Sequence, residues 1–361
     1  MSNSEKQIVV GLSGGVDSAT CAYLLKAQGY HVVGIYMQNW QPEGNQDCPV
    51  EADLKDAQQC ARKIGIEFDV INFSKDYWDR VFEKFLAAYQ LGQTPNPDVL
   101  CNQEIKFQAF QDYVLSTYQS PMATGHYAQI QTLDNQYRLL KGTDPNKDQS
   151  YFLCRLNQKQ LRYSNFPIGR YNKSQIRTIA KENNIPVYAK KDSTGICFIG
   201  ERKFNEFLSQ YLLDRPGPII ELDSGKILGE HQGLIYYTIG QRKGIGIGAS
   251  HDQDSPWYVA NKDLKEQALY VVQGSSHAAL NHLSLQASSL HWVRETLSFP
   301  VKCQAKIRYR HPPQDATIYQ ADNGKIRVDF DQPQWAITPG QYVVFYQNDE
   351  LIASAIIESP L

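Results

Sequence analysis

The sequence contains no pair of cysteines separated by two residues, although it has seven cysteines in 361 residues. The missing C-x-x-C spacing argues against a structural zinc ion or an iron–sulfur cluster held by closely spaced thiolates. The odd number and wide scatter of the cysteines also argue against a disulfide framework. Any functional cysteine is therefore expected to act through its own thiolate.

Membrane and export signals are missing as well. No apolar run approaches the roughly 18 residues that a membrane-spanning helix needs. The first residues, MSNSEKQ, lack the apolar stretch of a signal peptide. We therefore expect a cytoplasmic location and no membrane partner.

Neither sign of charge is in excess, since 36 Lys and Arg residues face 38 Asp and Glu residues, for a net charge of −2. Overall charge thus predicts no nucleic-acid partner, and any RNA would have to bind a local patch. The hydrophobic content of 42% is ordinary for a globular protein. At about one domain per 100–200 residues, the length predicts two or three domains.

A glycine-paired turn follows the first apolar run, in the stretch IVVGLSGGVDS at residues 8–18. This order predicts a strand, a phosphate-binding loop and a helix over about 19–28. Gly14 and Gly15 allow a tight turn whose N–H groups point to one place, and the helix N-terminus adds to an anion site. The nucleoside-triphosphatase pattern G-x-x-x-x-G-K-[ST] needs a lysine that this stretch lacks. Chemistry other than γ-phosphate transfer is predicted; a tight βα turn without function is the alternative.

Strand and helix patterns alternate after this loop. Strands are predicted at 31–37, 68–73 and 122–124, and helices at 53–64, 77–90 and 105–118. Repeated βα units imply a mostly parallel, doubly wound sheet. Such sheets bind ligands beyond the carboxyl ends of their strands, so we expect the first loop, Met37 and the Gly125–His126 turn to converge.

Two irregular stretches each carry a cysteine. GQTPNPDVLCNQEIK, at 92–106, places Cys101 just before a predicted helix, where a thiol pKa is lowered. Its polar neighbours weigh against an inert buried thiol: Asn96, Asp98, Asn102 and Lys106. In AKKDSTGICFIG, at 189–200, Cys197 is as consistent with a buried strand as with a reactive thiol. Only the fold can bring the two cysteines together.

The C-terminal half predicts two further domains. Short apolar runs from about 204 to 274 indicate a small connecting domain, and Gly244, Gly246 and Gly248 are predicted to form a turn rather than a dinucleotide-binding loop. Strand signals from about 276, with a hairpin turn at Asn323-Gly324, predict an antiparallel β-barrel. Alternation over 301–310 places four cations on one face, which would contact RNA or only solvent: Lys302, Lys306, Arg308 and Arg310.

Together these motifs resemble the bacterial tRNA-specific 2-thiouridylases. SGGVDS resembles the pyrophosphate loop of ATP pyrophosphatases, and the family's further motifs follow in order: TPNPDVLCN, ATGHY, NKDQSYFL, KKDSTGICFIGERKF, GEHQGLIYYTIGQRKGIGIG, PWYV and TPGQYVVFY. The resemblance implies an α/β fold with three parts. These are a doubly wound parallel sheet of the pyrophosphate-loop ATP pyrophosphatase type (1–203), a small tRNA-binding central domain (204–275) and a C-terminal antiparallel β-barrel (276–361).

The resemblance also implies a reaction and its partners. The wobble uridine of lysine, glutamate and glutamine tRNAs would be adenylated on its C2 oxygen by ATP, with Mg²⁺, and would then receive sulfur from a cysteine persulfide, releasing AMP and pyrophosphate. A persulfide carrier protein would supply the sulfur. By motif position Cys101 is the nucleophile, Cys197 carries the persulfide and Asp98 is an acid/base candidate. Whether the persulfide attacks directly or releases hydrogensulfide stays open.

The binding positions follow from the same resemblance. ATP would contact Gly11, Leu12, Ser13, Gly14, Gly15, Val16, Asp17, Ser18, Met37 and Gly125. The tRNA and its target base would contact Asn96, Pro97, Asp98, His126, Lys147, Asp148, Gln149, Arg308, Tyr309 and Gln341. No side chain is assigned as a metal ligand, but Asp17 either assists Mg²⁺ or caps the helix.

Two other functions fit parts of the sequence. An ATP pyrophosphatase that adenylates a small molecule and adds ammonia would not need either cysteine. A nucleotide-sensing or RNA-binding module would bind without releasing AMP. The remaining cysteines match no functional motif and are predicted to be packing residues: Cys21, Cys48, Cys60, Cys154 and Cys303.

Overall fold

The computed structural model describes residues 6–40, 49–192, 204–213, 215–248 and 255–361, and Cys48 and Cys197 lie outside these ranges. The described chain forms a five-stranded sheet, a four-stranded sheet and an eight-stranded sheet. Within these ranges, none of the helices combines the length and apolar character needed to cross a bilayer.

The N-terminal half contains seven strands: β1 Gln7–Gly11, β2 His31–Gln38, β3 Glu67–Asn72, β4 Met122–Ala123, β5 Ala128–Leu133, β6 Gln136–Lys141 and β7 Ser164–Asn165. Five of them form a sheet in the order β3-β2-β1-β4-β7, with every pairing parallel. Val9 of β1 packs into one core, and Ile8 and Val10 pack into another on the opposite face. Successive residues of a strand point to opposite faces, so both faces of this sheet are buried. Helices pack on both faces, which confirms the doubly wound prediction.

The helices are α1 Val16–Ala27, α2 Pro49–Ile64, α3 Ser74–Tyr77, α4 Glu83–Gln90, α5 Pro97–Cys101, α6 Phe110–Tyr118, α7 Gln158–Arg162, α8 Lys173–Glu182 and α9 Phe204–Leu208. Two π-helical segments, Trp78–Phe82 and Asn102–Ala109, join α3 to α4 and α5 to α6. Short 3₁₀ turns lie at Ser150–Leu153, Pro167–Arg170, Leu234–Tyr236, Ala278–Leu280 and Asp322–Gly324. The first two predicted strands and the helix ending at Ile64 keep their positions to within a few residues.

One helix begins earlier than predicted. We expected a helix from 105, but α5 starts at Pro97, and the π-helical segment and α6 continue it. Asn96 is the N-cap, since its Oδ1 accepts a hydrogen bond from the Val99 amide at 3.2 Å. Pro97 occupies the first helical position, where a proline loses no hydrogen bond. The two prolines therefore start the helix instead of breaking it, and Cys101 lies inside it.

The central sheet contains β8 Gly217–Glu221, β9 Ile227–His231, β10 Trp257–Asp263 and β11 Ala268–Gln273, in the order β10-β11-β8-β9. Its apolar core includes Ile219, Val259 and Leu269. Gly244 and Gly246 have positive φ angles of 75° and 86° in a stretch without regular structure. The predicted turn is thereby confirmed.

The C-terminal strands are β12 Asn281–Trp292, β13 Val301–Lys306, β14 Gln314–Gln320, β15 Ile326–Trp335, β16 Tyr342–Gln347 and β17 Glu350–Pro360. They run β12-β15-β14-β13-β16-β17, and β17 pairs back with β12, so the six antiparallel strands close into a barrel. Asn323 and Gly324, with φ of 58° and 72°, turn the chain between β14 and β15, as predicted.

A hairpin from the N-terminal half completes the eight-stranded sheet. β6 pairs with β17 at Leu139–Leu351 and Leu140–Glu350, and β5 pairs with β6. The barrel is thus joined to the N-terminal half by backbone hydrogen bonds. No local sequence pattern predicts this pairing.

The predicted basic strand face is wrong in part. β13 ends at Lys306, which is only 9% exposed, so period-two alternation does not continue to Arg310. Arg308 turns inward and donates through Nη2 to the backbone oxygens of Ile239 and Ala336, at 3.1 and 2.7 Å. Lys302 and Arg310 remain exposed.

Candidate nucleotide and thiol site

The loop after β1 folds tightly onto the start of α1. Ser18 Oγ accepts a hydrogen bond from the Ser13 amide and donates one to the Gly15 carbonyl, both at 3.1 Å. Gly14 has φ of +76°, and a Cβ there would overlap the Asp53 carbonyl oxygen at the start of α2. Glycine is therefore required at this position. The loop lies at the N-terminus of a 12-residue helix, where the unpaired N–H groups attract anions.

The segments expected beside this loop do converge on it. A Cβ on Gly11 would lie 3.1 Å from Met37 Cε, and one on Gly125 would lie 2.7 Å from the Ser18 amide nitrogen. The carboxyl ends of β1, β2 and β4 thus meet at one edge of the sheet.

Asp17 is held by a lysine that the sequence analysis missed. Lys173 Nζ, at the start of α8, lies 2.8 Å from both Asp17 carboxylate oxygens, and the Tyr127 hydroxyl donates to Oδ1 at 2.7 Å. The N-cap of α1 is Gly15, without a side-chain cap, so the helix-capping role considered for Asp17 is wrong. Burial, together with the Asp17 charge, raises the pKa of the Tyr127 hydroxyl.

Asp192 continues this charged network. Its carboxylate lies 2.6 Å from Lys147 Nζ, 2.7 Å from Lys173 Nζ and 2.9 Å from the Arg177 guanidinium. Burial opposes its ionisation, but hydrogen bonds from Lys147 and Lys173 prevail and lower the pKa of Asp192 to about 2. Lys173 therefore bridges two carboxylates, one at the loop and one at the edge of the segment that carries Cys197.

The Asp192 network predicts a pH-dependent stability. Because its folded pKa lies below the ordinary value of 3.8, its stabilisation is complete above pH 3.8 and is lost as the pH falls through about 2. We expect Asp192→Asn to lower the urea midpoint of unfolding more at pH 7 than at pH 3. Asp322→Asn, at an exposed position in the turn between β14 and β15, serves as the control. Equal losses at both pH values would contradict the prediction.

Lys190 attaches the same segment to the phosphate loop. Its Nζ donates to the Gly14 carbonyl at 3.1 Å and pairs with Asp53 and Asp56 of α2, at 2.7 and 2.5 Å. Residues 190–192 are thus tied to the loop immediately before the stretch that contains Cys197. Cys197 itself lies outside the described residues, and its role as the persulfide carrier stays a prediction.

Cys101 is the last residue of α5 and is only 3% exposed, within the core that also contains Val99 and Ile105. The sequence predicted Cys101 just before the helix. In the structure, Cys101 lies four residues beyond Pro97, inside the helix. Next to it, the Oδ1 atom of Asn102 is buried without a hydrogen-bond partner among the described residues, while Nδ2 donates to the Phe152 carbonyl at 3.0 Å. Asn102 is thus the buried polar neighbour of Cys101, while the Cys101 side chain itself packs in the apolar core.

Burial shifts the pKa values of Asp98 and His126 in opposite directions. Burial raises the pKa of Asp98, which Lys106 partly opposes. Burial, reinforced by the Lys106 charge, holds the pKa of His126 well below 6.5. The His126 ring packs against both Phe107 and Phe166, which also contact each other, and its Nδ1 lies 2.7 Å from Thr124 Oγ1. A carboxyl whose pKa is raised retains a proton more readily than an exposed carboxyl, which suits a general acid or base.

The other described cysteines have the character of packing residues. Burial raises the pKa of Cys60 to about 11 and that of Cys154 and Cys303 to about 12. Burial also raises the pKa of Cys21. These thiols stay protonated at neutral pH and are poor nucleophiles.

The positions expected to contact tRNA lie in two groups. In the first, Asp148 is 6% exposed, and its oxygens accept hydrogen bonds from the Gly142 and Ser150 amides and from Ser150 Oγ, all at 3.0 Å. Gln149 Oε1 accepts from the Tyr127 amide at 2.9 Å. These two side chains hold their own loop together, whereas Lys147 is 38% exposed beside Asp192.

The second group lies between the barrel and the rest of the chain. The Tyr309 ring packs on Phe152 with centroids 4.4 Å apart. Arg308 joins Ile239, in the segment between β9 and β10, to Ala336 of the barrel. Gln341 Nε2 donates to the Thr94 carbonyl at 2.7 Å. All three side chains make contacts within the protein.

Sequence reasoning missed Lys173, Tyr127, Lys190 and Thr94. Lys190 lay within a motif already singled out, but Lys173 lay in an ordinary amphipathic helix without a local signal. Its partner Asp17 is 156 residues away in the sequence, and only the fold brings the two together.

A parallel sheet with a glycine-paired loop at the start of α1, followed by a four-stranded sheet and a closed antiparallel barrel, defines a three-part α/β protein. Residues 6–201 match the family described as tRNA methyl transferase HUP domain. Residues 205–273 match the tRNA methyl transferase PRC-barrel domain, and 282–357 match the aminomethyltransferase beta-barrel domain.

Curated relatives match over the whole chain. The tRNA-specific 2-thiouridylase MnmA of Proteus mirabilis is 50% identical over 361 residues, which is 99% of this chain and 98% of that protein. The protein of the same name from Pectobacterium atrosepticum is 49% identical over 363 residues, 99% of each chain. The chain belongs to the tRNA-specific 2-thiouridylase family.

Solved structures match more distantly. The U34-tRNA thiolase NcsA from Methanococcus maripaludis, with its 4Fe-4S cluster, is 18% identical with a TM-score of 0.35. The match covers 54% of this chain and 61% of that one, and at this level it carries no argument about this chain.

Proposed function

We propose that this chain replaces the C2 oxygen of the wobble uridine in lysine, glutamate and glutamine tRNAs by sulfur, at the expense of ATP. The observation that carries the proposal is the end-to-end match, at 50% identity, to a protein named for tRNA 2-thiolation. The glycine-paired loop at the start of α1 supports it.

The first step is activation of a poor leaving group. The uridine C2 oxygen attacks the α-phosphorus of ATP, the bond to pyrophosphate breaks, and the N3 proton leaves. Amide groups of residues 13–16 would hold the phosphates at the start of α1, beside Gly125 and Met37. Asp98, whose pKa burial raises, is suited to take the N3 proton and to return it later.

The second step transfers sulfur. The terminal sulfur of a Cys197 persulfide attacks C2, and AMP leaves with the original oxygen. The Cys101 thiolate then attacks Sγ of Cys197, which breaks the sulfur–sulfur bond, leaves sulfur on C2 and forms a Cys101–Cys197 disulfide. Alternatively, Cys101 attacks first and the released hydrogensulfide attacks C2. Both routes need a persulfide carrier protein as donor and a dithiol reductant, which fits a reducing cytoplasm.

The described residues offer magnesium no site made of their own side chains. The described residues contain no cluster of three or more His, Cys, Asp or Glu residues able to hold a metal ion. Both carboxylate oxygens of Asp17 are occupied by Lys173. We therefore treat Mg²⁺ as part of the ATP substrate and assign no step to a protein-bound metal.

The test is thiolation of unmodified glutamate tRNA with Mg-ATP and a persulfide source, following AMP, pyrophosphate and thiouridine separately. We expect all three products, and none above background when the wobble uridine is replaced by cytidine. AMP formation without tRNA would favour adenylation of a small molecule. Tight tRNA binding without AMP would favour a binding module.

A further inference from the structure

The short segment before the target-base residues is held from two other domains. The Thr94 amide donates to the Pro339 carbonyl at 2.9 Å, and Gln341 Nε2 donates to the Thr94 carbonyl at 2.7 Å. Pro339 and Gln341 belong to the barrel, in the loop that leads into β16. Both backbone groups of Thr94 are therefore paired with the barrel.

The central domain holds the same segment from another side. Thr94 Oγ1 lies 3.3 Å from Thr238 Oγ1, within hydrogen-bond distance. At Gly92, a Cβ would lie 3.1 Å from a methyl carbon of Leu264, which follows β10. All three domains thus meet at residues 92–94.

This junction is closely fitted. Gly340 has φ of +89°, and a Cβ there would lie 2.9 Å from Gln93 Cβ and 3.0 Å from the Thr94 nitrogen. Any side chain at 340 would push residues 93–94 away. The barrel loop and this segment are therefore in close backbone contact.

The junction is directly connected to the proposed target-base residues. Pro95, which is buried, and Pro97 flank Asn96, and their fixed φ angles leave little freedom between Thr94 and the helix. Asn96 caps that helix, which carries Asp98 and Cys101. A shift at Thr94 would therefore displace the acid/base candidate and the nucleophile together.

We propose that Gln341 is a positioning residue, which fixes the segment 94–98 from the barrel and so aligns Asp98 and Cys101 with the activated uridine. This inference rests on the proposed function. It adds to the family-based expectation that the Gln341 side chain contacts tRNA, because Nε2 of Gln341 already donates to the Thr94 carbonyl. Docking of tRNA on the outer domains would thereby be coupled to alignment of the catalytic segment.

The test separates turnover from binding in Gln341→Ala. We expect kcat for thiouridine formation to fall by about 10- to 100-fold, since small misplacements of reacting groups have effects of this size. The Kd for tRNA should stay within about twofold of wild type. The exposed Gln320→Ala, on the same barrel, is the matched control. A raised Kd with unchanged kcat would overturn the inference in favour of direct tRNA contact.

Two further measurements separate this inference from the proposed function. Gly340→Ala should reproduce the loss of kcat by displacing Thr94 sterically, and both variants should exchange backbone amide hydrogens faster over 94–101. If wild type binds tRNA but makes no thiouridine, the proposed reaction is wrong. The hydrogen-exchange measurement over 94–101 then still tests the positioning role of Gln341. Unchanged exchange over 94–101 in Gln341→Ala would refute the positioning role.

Discussion

Thiouridine formation is expected to fall by about 10³-fold or more when either Cys101 or Cys197 is replaced by serine, because each thiol forms a covalent bond that serine cannot replace. tRNA-dependent release of pyrophosphate should continue in both variants, since adenylation uses neither sulfur atom. Following pyrophosphate and thiouridine in the same reaction, with Mg-ATP and a persulfide source, separates the two steps.

Cys303→Ser is the matched control. Cys303 lies on β13 of the barrel, and burial together with Asp315 raises its pKa to about 12, so it has no nucleophilic role at neutral pH. It should form thiouridine at the wild-type rate. Retention of thiouridine formation in both Cys101→Ser and Cys197→Ser would show that the cysteine roles are wrong and would favour an ammonia-type ATP pyrophosphatase.

The same variants distinguish the two sulfur-transfer routes. If free hydrogensulfide attacks C2, added sodium sulfide should restore thiouridine formation in both serine variants, because neither cysteine is then needed after sulfide has formed. If the persulfide attacks directly, sulfide should restore neither.

The parts of the fold that the sequence predicted are those encoded in local patterns. Continuous apolar strands, glycine turns and strand-to-helix order identified the parallel sheet, and alternation with Asn323-Gly324 identified the barrel. These signals lie within a few residues of the element they specify. They therefore need no knowledge of which segments meet in three dimensions.

The errors arose where tertiary contacts outweigh local pattern. Alternation over 301–310 placed Arg308 on a solvent face, but β13 ends at Lys306 and Arg308 is drawn to carbonyls of two other segments. The pairing of β6 with β17 joins residues about 210 positions apart. The strand pairing leaves no mark in the local sequence, because a backbone hydrogen bond does not depend on side-chain type. The carbonyls that Arg308 contacts lie 69 and 28 residues away in the sequence, so no local pattern shows them.

The candidate site divides in the same way. The phosphate loop and Cys101 are predicted from their own motifs, whereas Lys173, which contacts Asp17 from α8, has no motif of its own. The sequence correctly showed that the Walker-type lysine is missing from 11–18. It gave no sign that α8 brings Lys173 to Asp17 from a distant position.

Replacement of Lys173 is expected to cause a second large loss, in kcat/KM for ATP. Lys173 is 12% exposed and neutralises Asp17 beside the phosphate loop. Lys173→Ala leaves the Asp17 carboxylate uncompensated next to the place where the ATP phosphates are proposed to bind, and the negative charges would repel each other. We expect kcat/KM for ATP, measured by tRNA-dependent pyrophosphate release, to fall by about 10²- to 10³-fold. Lys181→Ala, an exposed position on the same helix, is the control and should retain wild-type kinetics.

A double-mutant cycle tells whether Lys173 acts on Asp17 or on the nucleotide. If neutralising Asp17 is its whole role, Asp17→Asn combined with Lys173→Ala should recover much of the loss, because no uncompensated charge remains. If Lys173 leaves Asp17 when ATP enters and pairs with a phosphate oxygen, the double variant should be as impaired as Lys173→Ala alone. A Lys173→Ala enzyme whose kcat/KM stays within about twofold of wild type would contradict both roles and would reduce the Asp17–Lys173–Asp192 network to a structural link between α1 and α8.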